Sequence, residues 1–554
     1  MSRELSYQKY EPSWGAEPVP PIPEVPIFEL MQISARKDPD KPAVIFLDQP
    51  TTYRELDEFS NRVAMHLIER GVKKGDKVAT VLPNCTQQII VFYAIMKVGA
   101  IAVTCNVMLK SDELQYMLEE SEVRVIFTLD LVFPVVKAAA DPAGISDIVT
   151  VHVKDFSKPT AAIPPLLALD KAPVAGATDF MDLIAEDKGL PPRWACDVKN
   201  DLAMILYTSG TTGFPKGAMI THYNLCACTV ITSCVMLGCR KDDVLLLLFP
   251  LFHIGSYALM LLPAFYTGAT LVPVPNFDAG VVLDLIQRDK ITVLIFPPTA
   301  YIGILNHPDF PKSNLSSVRF TAAAGAPVPP SLQQEWQDKV GTYLYAGLGA
   351  TETTGTAPGI VEMAHQQKFA TGTLGVTSHE LKIVDPEGNT VPRNTTGEIL
   401  HRGPGICLGY WKKPDETRQQ FTDDGWWRSG DAGYMDDDGF VYFVERLKDL
   451  IIASGYNIAP AEVENSIYKH PAVQEVGVVG IPHQYRGETV KAFIVLKDEY
   501  KGKVTEEEII AFCRDKMAVY KAPTEVAFID TIPKTLSGKV LRRMLRELHA
   551  KQQG

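Results

Sequence analysis

The chain has 554 residues, which is too long for one compact core, and at roughly 100–200 residues per domain about three to five folding units are expected. Hydrophobic residues make up 46% and charged residues 22% of the sequence, a composition that excludes wholesale disorder. The net charge of −12 argues against a general nucleic-acid-binding protein, because contacts with phosphate backbones need clustered lysines and arginines.

The nine cysteines do not indicate a disulfide framework, because an odd number must leave one unpaired. Four of them, Cys226, Cys228, Cys234 and Cys239, lie in an apolar stretch without paired metal-ligand motifs. We therefore expect small buried thiols in a core helix rather than a metal site. Unpaired thiols, and a start that lacks the basic and then apolar build of a signal peptide, favour a cytoplasmic protein.

The stretch from Val244 to Phe277 contains no Asp, Glu, Lys or Arg over 34 residues, whereas a membrane-spanning helix needs about 20 apolar residues. Prolines and glycines divide the stretch into shorter pieces, which we interpret as a strand, a loop, a short helix and a second strand. Such short apolar runs are typical of parallel sheets that are covered on both faces. We therefore expect no transmembrane segment, although this stretch is the one feature that supports a non-catalytic membrane or acyl-binding protein.

After a polar, proline-rich leader (residues 1–27), apolar strands and amphipathic helices alternate, as in KPAVIFL, SNRVAMHLIERG and KVATVLP. This alternation predicts βαβ units and a mostly parallel sheet, and a second run of the same kind extends from Leu202 to Tyr345. Beyond Gly372, short strands joined by turns such as DPEGN predict a small β subdomain.

The end of the chain differs in charge from the rest, with a net charge of +2 over residues 447–554 and −14 before them. A domain boundary near residue 446 is therefore expected. The predicted fold is α/β: a large N-terminal domain (residues 1–446) contains stacked, mostly parallel sheets with helices and the β subdomain. A small, mobile α+β C-terminal domain (residues 447–554) follows it.

The most informative segment is YTSGTTGFPKGAM, from Tyr207 to Met219, which follows the apolar strand LAMIL. Its glycines let the backbone turn so that several N–H groups point into one concavity, its hydroxyl groups add donors, and Lys216 adds positive charge. This combination predicts a cradle for phosphate groups. It differs from the common nucleoside-triphosphatase loop, in which Gly-Lys-Ser/Thr follows four spacer residues.

The segment resembles the phosphate loop of the acyl-adenylate-forming (AMP-binding) superfamily, which includes acyl-CoA synthetases, firefly luciferase and the adenylation domains of peptide synthetases. Further motifs follow in the family's order over nearly the whole chain: PLFHI, AAAGAPV, GATETTG, WWRSGD, VERLKDLI, SGYNIAPAEVE and PKTLSGKVLRR. The resemblance implies activation of a carboxylic acid with ATP, Mg²⁺ and coenzyme A. A carboxylate and a triphosphate are both anionic, so this reaction needs the cations and N–H donors that these motifs offer.

The resemblance also implies roles for particular residues. Catalytic roles are expected for Lys539 (the adenylation lysine), Thr351 (near the α-phosphate), Glu352 (the Mg²⁺ ligand) and His253. ATP or AMP is expected to contact Thr208, Ser209, Gly210, Thr211, Thr212, Gly213, Lys216, Gly325, Ala326, Pro327, Leu348, Gly349, Asp431, Phe443 and Arg446. The acyl pocket is expected at His253, Tyr257 and Gly347, the coenzyme A site at Ser454, Gly455 and Tyr456, and the hinge between domains at Lys448.

The segment GSYALMLL, which follows the PLFHI motif, has no acidic residue to pair with the ammonium group of an amino acid. An apolar acid suits it better, and the C-terminal motifs resemble those of medium- and long-chain fatty acyl-CoA ligases. The expected function is therefore an ATP-dependent fatty acid–CoA ligase, with an aromatic or alicyclic acid–CoA ligase (coumarate- or benzoate-like) as the alternative. The expected partners are a small-molecule carboxylic acid, ATP and coenzyme A, without nucleic acid; peripheral membrane contact and the oligomeric state stay open.

Two positions depart from the family pattern. Leu348 stands where the family usually has an aromatic residue on the adenine, so a stacking contribution of about 1 kcal/mol is missing unless Tyr345 replaces it. Ile452 replaces a lysine that some relatives carry after the hinge, which argues against a luciferase-like oxidative reaction.

Overall fold

The computed structural model describes most of the chain. The described segments are residues 7–8, 19–159, 167–208, 215–325, 328–347, 349–355, 372–373, 379–453, 456–483, 485–534 and 540–553. Within them the predicted α/β class with mostly parallel sheets is confirmed, as a large N-terminal part and a small C-terminal part.

Sheet A has seven strands, and all neighbouring strands are parallel except for the hairpin at one edge. Across the sheet, the strands are Lys216–Thr221, Leu202–Thr208, Ile101–Thr104, Lys77–Val81, Val123–Leu129, Asp147–Val151 and Thr178–Asp179. The antiparallel hairpin at the edge joins Leu202–Thr208 to Lys216–Thr221, so the predicted phosphate loop connects these two strands.

Sheet B also has seven strands and is parallel except for a hairpin at one edge. Across the sheet, the strands are Leu344–Ala346, Phe320–Ala323, Val293–Phe296, Val244–Leu247, Thr270–Pro273, Pro42–Phe46 and Gln49–Thr52. The central strands, such as Val293–Phe296, are wholly buried, as expected for a parallel sheet that is covered on both faces.

Helices cover these sheets and separate them. Among the described residues of the N-terminal part, the α-helices are Phe28–Lys37, Tyr53–Glu69, Thr86–Val98, Ser111–Ser121, Phe133–Ala140, Phe180–Ala185, His222–Val230, Ile254–Ser256, Leu262–Thr267, Ala279–Arg288, Pro298–Leu305, Pro330–Val340 and Pro414–Gln420. π-Helical turns occur at Ile231–Met236 and Tyr257–Leu261. Every residue of Thr86–Val98 is buried, because this helix lies in a core cluster that includes residues of both sheets.

The uncharged stretch forms the pieces that the sequence predicts: the strand Val244–Leu247, helical turns over residues 254–267, and the strand Thr270–Pro273. Among the described residues there is no helix long and apolar enough to cross a membrane.

The prediction for the clustered cysteines is only partly right. Cys226 and Cys228 are buried in one helix, where burial raises the pKa of the Cys226 thiol to about 12, but Cys234 is exposed on the π-helical turn.

Sheet C is the predicted β subdomain, and within the described segments it has six antiparallel strands. Across the sheet, they are Tyr7–Gln8, Glu380–Val384, Gly397–Arg402, Trp427–Met435, Val441–Arg446 and Gly372–Thr373. A short 3₁₀ turn, Leu447–Asp449, follows the strand that ends at Arg446.

Sheet D forms the C-terminal part, whose described residues contain five strands and three α-helices. Its strands are Tyr456–Ile458, Ile451–Ala453, Gly487–Leu496, Val473–His483 and Glu525–Phe528, and its helices are Pro460–Ile467, Glu506–Lys516 and Arg542–Gln553. Its apolar core is a separate cluster, so this part has an interior of its own.

Candidate active site

Several of the predicted site residues follow parallel strands of sheet B at their carboxyl ends. Gly325 follows Phe320–Ala323, and Gly347 follows the neighbouring strand Leu344–Ala346. The Gly347 N–H donates to the Ala323 carbonyl at 3.0 Å, so the two motifs lie side by side. Binding sites in open α/β sheets commonly form at this edge. Ala326, Pro327 and Leu348 lie outside the described residues.

The PLFHI motif lies next to these glycines. Gly325 has a φ of +84°, and a Cβ atom there would lie 3.6 Å from the Phe249 ring. That ring stacks on the imidazole of His253 with 5.9 Å between centroids. The exposed His253 caps the following helix, because its Nδ1 accepts the Gly255 N–H at 3.1 Å.

Tyr257, the other predicted acyl-pocket side chain, is wholly buried one turn further on. Its hydroxyl accepts a hydrogen bond from Gln88 Nε2 at 3.4 Å, and its ring lies 4.8 Å from the Phe92 ring. The structure therefore separates the exposed imidazole of His253 from the phenol, which packs within the core.

Asn84, which the sequence analysis missed, holds the PLFHI loop in place. Its amide Nδ2 lies 3.1–3.3 Å from four carbonyl oxygens, which share its two N–H groups and belong to Leu247, Leu248, Phe249 and Val274. Its Oδ1 accepts the Leu251 N–H at 2.8 Å. Asn84 follows the strand Lys77–Val81 of sheet A, so it joins the carboxyl ends of the two parallel sheets.

The GATETTG motif forms a compact turn at residues 349–355, which includes Gly349, Thr351 and Glu352. The Gly355 N–H donates to the Ala350 carbonyl at 2.9 Å. Gly355 has a φ of +67°, and a Cβ atom on it would lie 2.8 Å from the Ala258 Cβ. This close approach, which only glycine permits, packs the turn directly against the helical segment that follows His253.

The base of the predicted phosphate loop is described, but its tip is not. Thr208 and Lys216 face each other across the hairpin, and the Thr208 hydroxyl lies 3.4 Å from the Lys216 carbonyl. The loop residues Ser209, Gly210, Thr211, Thr212 and Gly213 lie outside the described residues.

A second missed residue, Tyr410, lies between Lys216 and Glu352. The Tyr410 hydroxyl donates to Glu352 Oε1 at 2.8 Å, and Lys216 Nζ lies 5.2 Å from the centroid of the Tyr410 ring. Burial and the adjacent Glu352 charge raise the pKa of the Tyr410 phenol well above its usual range, so it stays a neutral donor.

The two predicted ribose ligands are brought together by sheet C. Asp431 and Arg446 are partners on neighbouring strands, and Arg446 Nε lies 2.8 Å from Asp431 Oδ1. Arg446 also donates from Nη1 to the Ser429 carbonyl at 3.2 Å. Phe443, paired with Gly433 in the same ladder, is half-buried.

The C-terminal predictions are only partly described. Lys448 lies in the 3₁₀ turn between sheets C and D and is exposed. Tyr456 begins a strand of sheet D, whereas Ser454, Gly455 and Lys539 lie outside the described residues.

Comparison with known proteins assigns the chain to a family. A family model of AMP-binding enzymes matches residues 31–411, and a model of the AMP-binding enzyme C-terminal domain matches residues 462–539. A long-chain-fatty-acid–CoA ligase of Bacillus subtilis (strain 168) is 35% identical to this chain, over 95% of each chain. A feruloyl-CoA synthase of an Amycolatopsis species is 34% identical, over 92% of this chain and 96% of its own.

Solved structures of similar proteins superpose on nearly the whole chain. ATP-bound MatB from Rhodopseudomonas palustris superposes with a TM-score of 0.83 at 28% identity, over 95% of this chain and 98% of its own. The apo structure of the same protein covers 95% of this chain and 99% of its own at 28% identity, with a TM-score of 0.71. The chain belongs to the AMP-binding enzyme family, as an adenylate-forming acyl- or aryl-CoA ligase.

Proposed function

We propose that the chain is an ATP-dependent fatty acid–CoA ligase that forms acyl-AMP and then acyl-CoA. The observation that carries the choice of acid is the segment of residues 255–262 after His253, which is wholly buried and contains no charged side chain. We infer that this segment borders the acyl site, where a buried, uncharged surface favours an aliphatic chain, because an unpaired polar substituent would lose its hydrogen bonds to water there. The Bacillus subtilis relative, named as a long-chain-fatty-acid–CoA ligase, supports the same choice.

In the first half-reaction, a carboxylate oxygen of the acid attacks the α-phosphorus of ATP. A C–O–P linkage forms, and the bond to pyrophosphate breaks. We propose that the N–H groups of residues 208–213 and the Lys216 ammonium hold the pyrophosphate, with Thr351 beside the α-phosphate. Lys539 is a compact cation on a flexible stem, which suits it to bridge a carboxylate oxygen and an α-phosphate oxygen.

Glu352 is proposed as the protein ligand of Mg²⁺. Proteins usually hold Mg²⁺ with one or two carboxylates, together with phosphate oxygens and waters. Glu352 is a half-exposed carboxylate, and the described segments contain no group of three His, Cys, Asp or Glu side chains that could hold an ion alone. Glu352 fits an ion that arrives bound to the nucleotide, and such an ion would neutralise charge on the phosphates.

The nucleoside is proposed to lie between sheets B and C. The Asp431 carboxylate and the Arg446 guanidinium suit the two ribose hydroxyls, because one accepts and the other donates hydrogen bonds. The adenine is proposed to lie along Gly325, Ala326, Pro327, Leu348, Gly349 and Phe443.

In the second half-reaction, the sulfur of coenzyme A attacks the acyl carbon, a C–S bond forms, and the C–O bond to AMP breaks as the thiol proton is lost. We propose that coenzyme A approaches along Ser454, Gly455 and Tyr456, and that Lys448 is the hinge between the domains. The proposed boundary at residue 446 is supported by the last strand of sheet C, which ends at Arg446 before sheet D begins at Ile451.

An aromatic acid is the second candidate substrate. It is favoured by the feruloyl-CoA synthase relative, whose identity to this chain is nearly as high as that of the fatty-acid ligase. The two candidates differ in the shape of the pocket that each requires.

A panel of acids tests the proposal: AMP release is measured with ATP, Mg²⁺ and coenzyme A for octanoate, laurate, palmitate, benzoate and ferulate. We expect kcat/KM to be highest for one of the aliphatic acids, with steps between chain lengths of about 1–3 kcal/mol per methylene. A higher kcat/KM for ferulate or benzoate would instead assign the enzyme to aromatic acids. AMP release with none of the acids would contradict both candidates.

A further inference from the structure

Tyr410 belongs to none of the motifs that carry the family resemblance, yet its backbone is fixed against the phosphate-loop hairpin. It forms an antiparallel bridge with Ala218, and the Trp411 N–H donates to the Gly217 carbonyl at 2.8 Å. The Tyr410 N–H donates to Thr417 Oγ1 at 2.9 Å. The segment that carries Tyr410 therefore extends the edge of sheet A beside Lys216.

The hydroxyl of Tyr410 is directed at Glu352. The residue is 3% exposed, and its oxygen contacts both Glu352 Oε1 and the amide of Gln420. A phenol has a single proton, and an ionised carboxylate is the stronger acceptor, so the proton is donated to Glu352. This hydrogen bond fixes the rotation of the Glu352 carboxyl group.

The ring of Tyr410 faces Lys216, whose ammonium lies 5.2 Å from the ring centroid. A cation within about 6 Å of an aromatic face is attracted by the negative charge of that face. The Tyr410 side chain therefore contacts two groups of opposite charge, the Glu352 carboxylate and the Lys216 ammonium, which belong to different motifs.

We propose that Tyr410 is a positioning residue, which holds the carboxylate of Glu352 and the ammonium of Lys216 in one arrangement around the triphosphate of Mg·ATP. The proposal rests on the roles proposed above for these two residues. Removing the hydrogen-bond partner of a metal ligand typically lowers the metal affinity or the activity 10- to 100-fold. The phenol contributes through orientation, because it fixes the rotation of the carboxylate that would hold the ion.

The variant Tyr410→Phe removes the hydroxyl and keeps the ring. We expect the Mg²⁺ concentration for half-maximal acyl-AMP formation to rise about 10- to 100-fold, with a parallel loss in calorimetric affinity for Mg·ATP. Affinity for ATP without Mg²⁺, and thioester formation from supplied acyl-AMP, should stay unchanged. Tyr410→Leu also removes the ring, and it should additionally weaken binding of Mg²⁺-free ATP.

Tyr442→Phe is the matched control, because the Tyr442 hydroxyl donates to the Asp436 carboxylate at 3.0 Å on sheet C. This control should leave the Mg²⁺ dependence at the wild-type value. Melting temperatures of all variants show whether the fold is kept. An unchanged Mg²⁺ requirement in Tyr410→Phe would overturn the role of the hydroxyl, and equal ATP affinities of the Phe and Leu variants would overturn the role of the ring.

Glu352→Gln separates this inference from the proposed function. If Glu352→Gln changes the Mg²⁺ requirement and Tyr410→Phe does not, the role of Tyr410 is wrong and the Mg²⁺ site stands. If Glu352→Gln leaves it unchanged, the proposed Mg²⁺ ligand itself is wrong. We expect the double variant to behave like Glu352→Gln alone, because the hydroxyl acts through that carboxylate.

Discussion

Asp431 and Arg446 are an example of how single residues from separate motifs are brought into contact. The two side chains meet because their strands are neighbours in sheet C, and the Asp431 residue is only 5% exposed. A carboxylate at such a position needs a charged partner, which Arg446 supplies at 2.8 Å. The same ion pair holds the carboxylate oxygens in a fixed direction.

Asp431→Asn tests the proposed ribose contact. The side chain keeps its size but loses its charge and one acceptor, and a hydrogen bond to a charged group contributes about 1.5–3 kcal/mol. We expect the KM for ATP to rise about 10- to 100-fold, with a much smaller change in the KM for the acid. Glu380→Gln, which breaks the ion pair with Arg402 in the same sheet, is the control and should leave the KM for ATP unchanged. A KM for ATP in Asp431→Asn within twofold of the wild type would contradict the contact.

Lys539→Ala tests the proposed adenylation lysine. Loss of one oriented charge contact in a transition state typically lowers the rate about 10²- to 10³-fold. We expect acyl-AMP formation to fall by this amount, while conversion of supplied acyl-AMP to acyl-CoA is largely retained. Pyrophosphate exchange measures the first step. Near-normal exchange in the variant would show that another cation bridges the reactants.

At the scale of elements, the loop at residues 250–254 shows how the scaffold positions a site. This loop leaves sheet B, but Asn84, which follows a strand of sheet A, binds the Phe249 carbonyl just before the loop and the Leu251 N–H within it. Asn84 is 2% exposed, so its amide replaces water for buried backbone groups that would otherwise be unsatisfied. The loop and its exposed His253 are thereby fixed at the junction of the two parallel sheets.

His253→Ala tests whether this loop borders the acyl pocket. If the imidazole forms one wall, its removal should broaden the acid preference, and the ratio of kcat/KM between palmitate and octanoate should change. An effect of about 1–3 kcal/mol is typical for one methylene in an apolar pocket. The KM for ATP should change less than this ratio. An unchanged acid profile with a large ATP defect would instead assign His253 to the nucleotide.

The elements themselves were largely predictable from the sequence, because they depend on local patterns. The apolar run VLLLLF predicts the buried strand at Val244–Leu247, and the prolines and glycines after it predict short pieces. Asn84 and Tyr410 could not be found in this way. Their contacts join segments that are far apart in sequence. The residues around Asn84 or Tyr410 in the sequence therefore do not indicate which distant groups these side chains contact.

The side-chain environment of Tyr257 illustrates the same limit. The family resemblance predicts Tyr257 at the pocket, but whether its phenol faces the substrate or the core depends on Gln88 and Phe92, which come from another helix. The exposed position of Cys234 also depends on a π-helical turn, whose register cannot be read from apolar periodicity.

At the scale of the whole molecule, a buried ion network joins the N-terminal and C-terminal parts. Glu445, on the last strand of sheet C, contacts Arg542 at 3.2 Å, and Arg542 also contacts Glu464 at 3.0 Å. Within the C-terminal part itself, Arg546 forms an ion pair with Asp449 of the 3₁₀ turn at 3.0 Å. The overall arrangement is closer to ATP-bound MatB than to apo MatB, with TM-scores of 0.83 and 0.71.

Two reactions are proposed for one site, with Lys539 serving adenylation and residues 454–456 serving thioester formation. Both come from the same small domain, so we expect the domain to rotate about Lys448 between the two steps. Such rotations place a large change in φ and ψ on a few residues at the end of an element. Lys448 lies in the short 3₁₀ turn between sheets C and D, which fits this position.

Lys448→Pro tests the rotation, because proline fixes φ near −65° and restricts the residue before it. Since the present arrangement resembles that of an ATP-bound relative, we expect the variant to retain acyl-AMP formation. The fold-loss in the rate of thioester formation should be at least ten times larger than the fold-loss in the rate of acyl-AMP formation. The half-reactions are measured separately, by pyrophosphate exchange and by conversion of supplied acyl-AMP. Lys448→Ala removes the side chain but keeps the backbone freedom, and it should preserve both rates. Equal losses of both rates in Lys448→Pro, with an unchanged melting temperature, would show that the enzyme works without rotation at this residue.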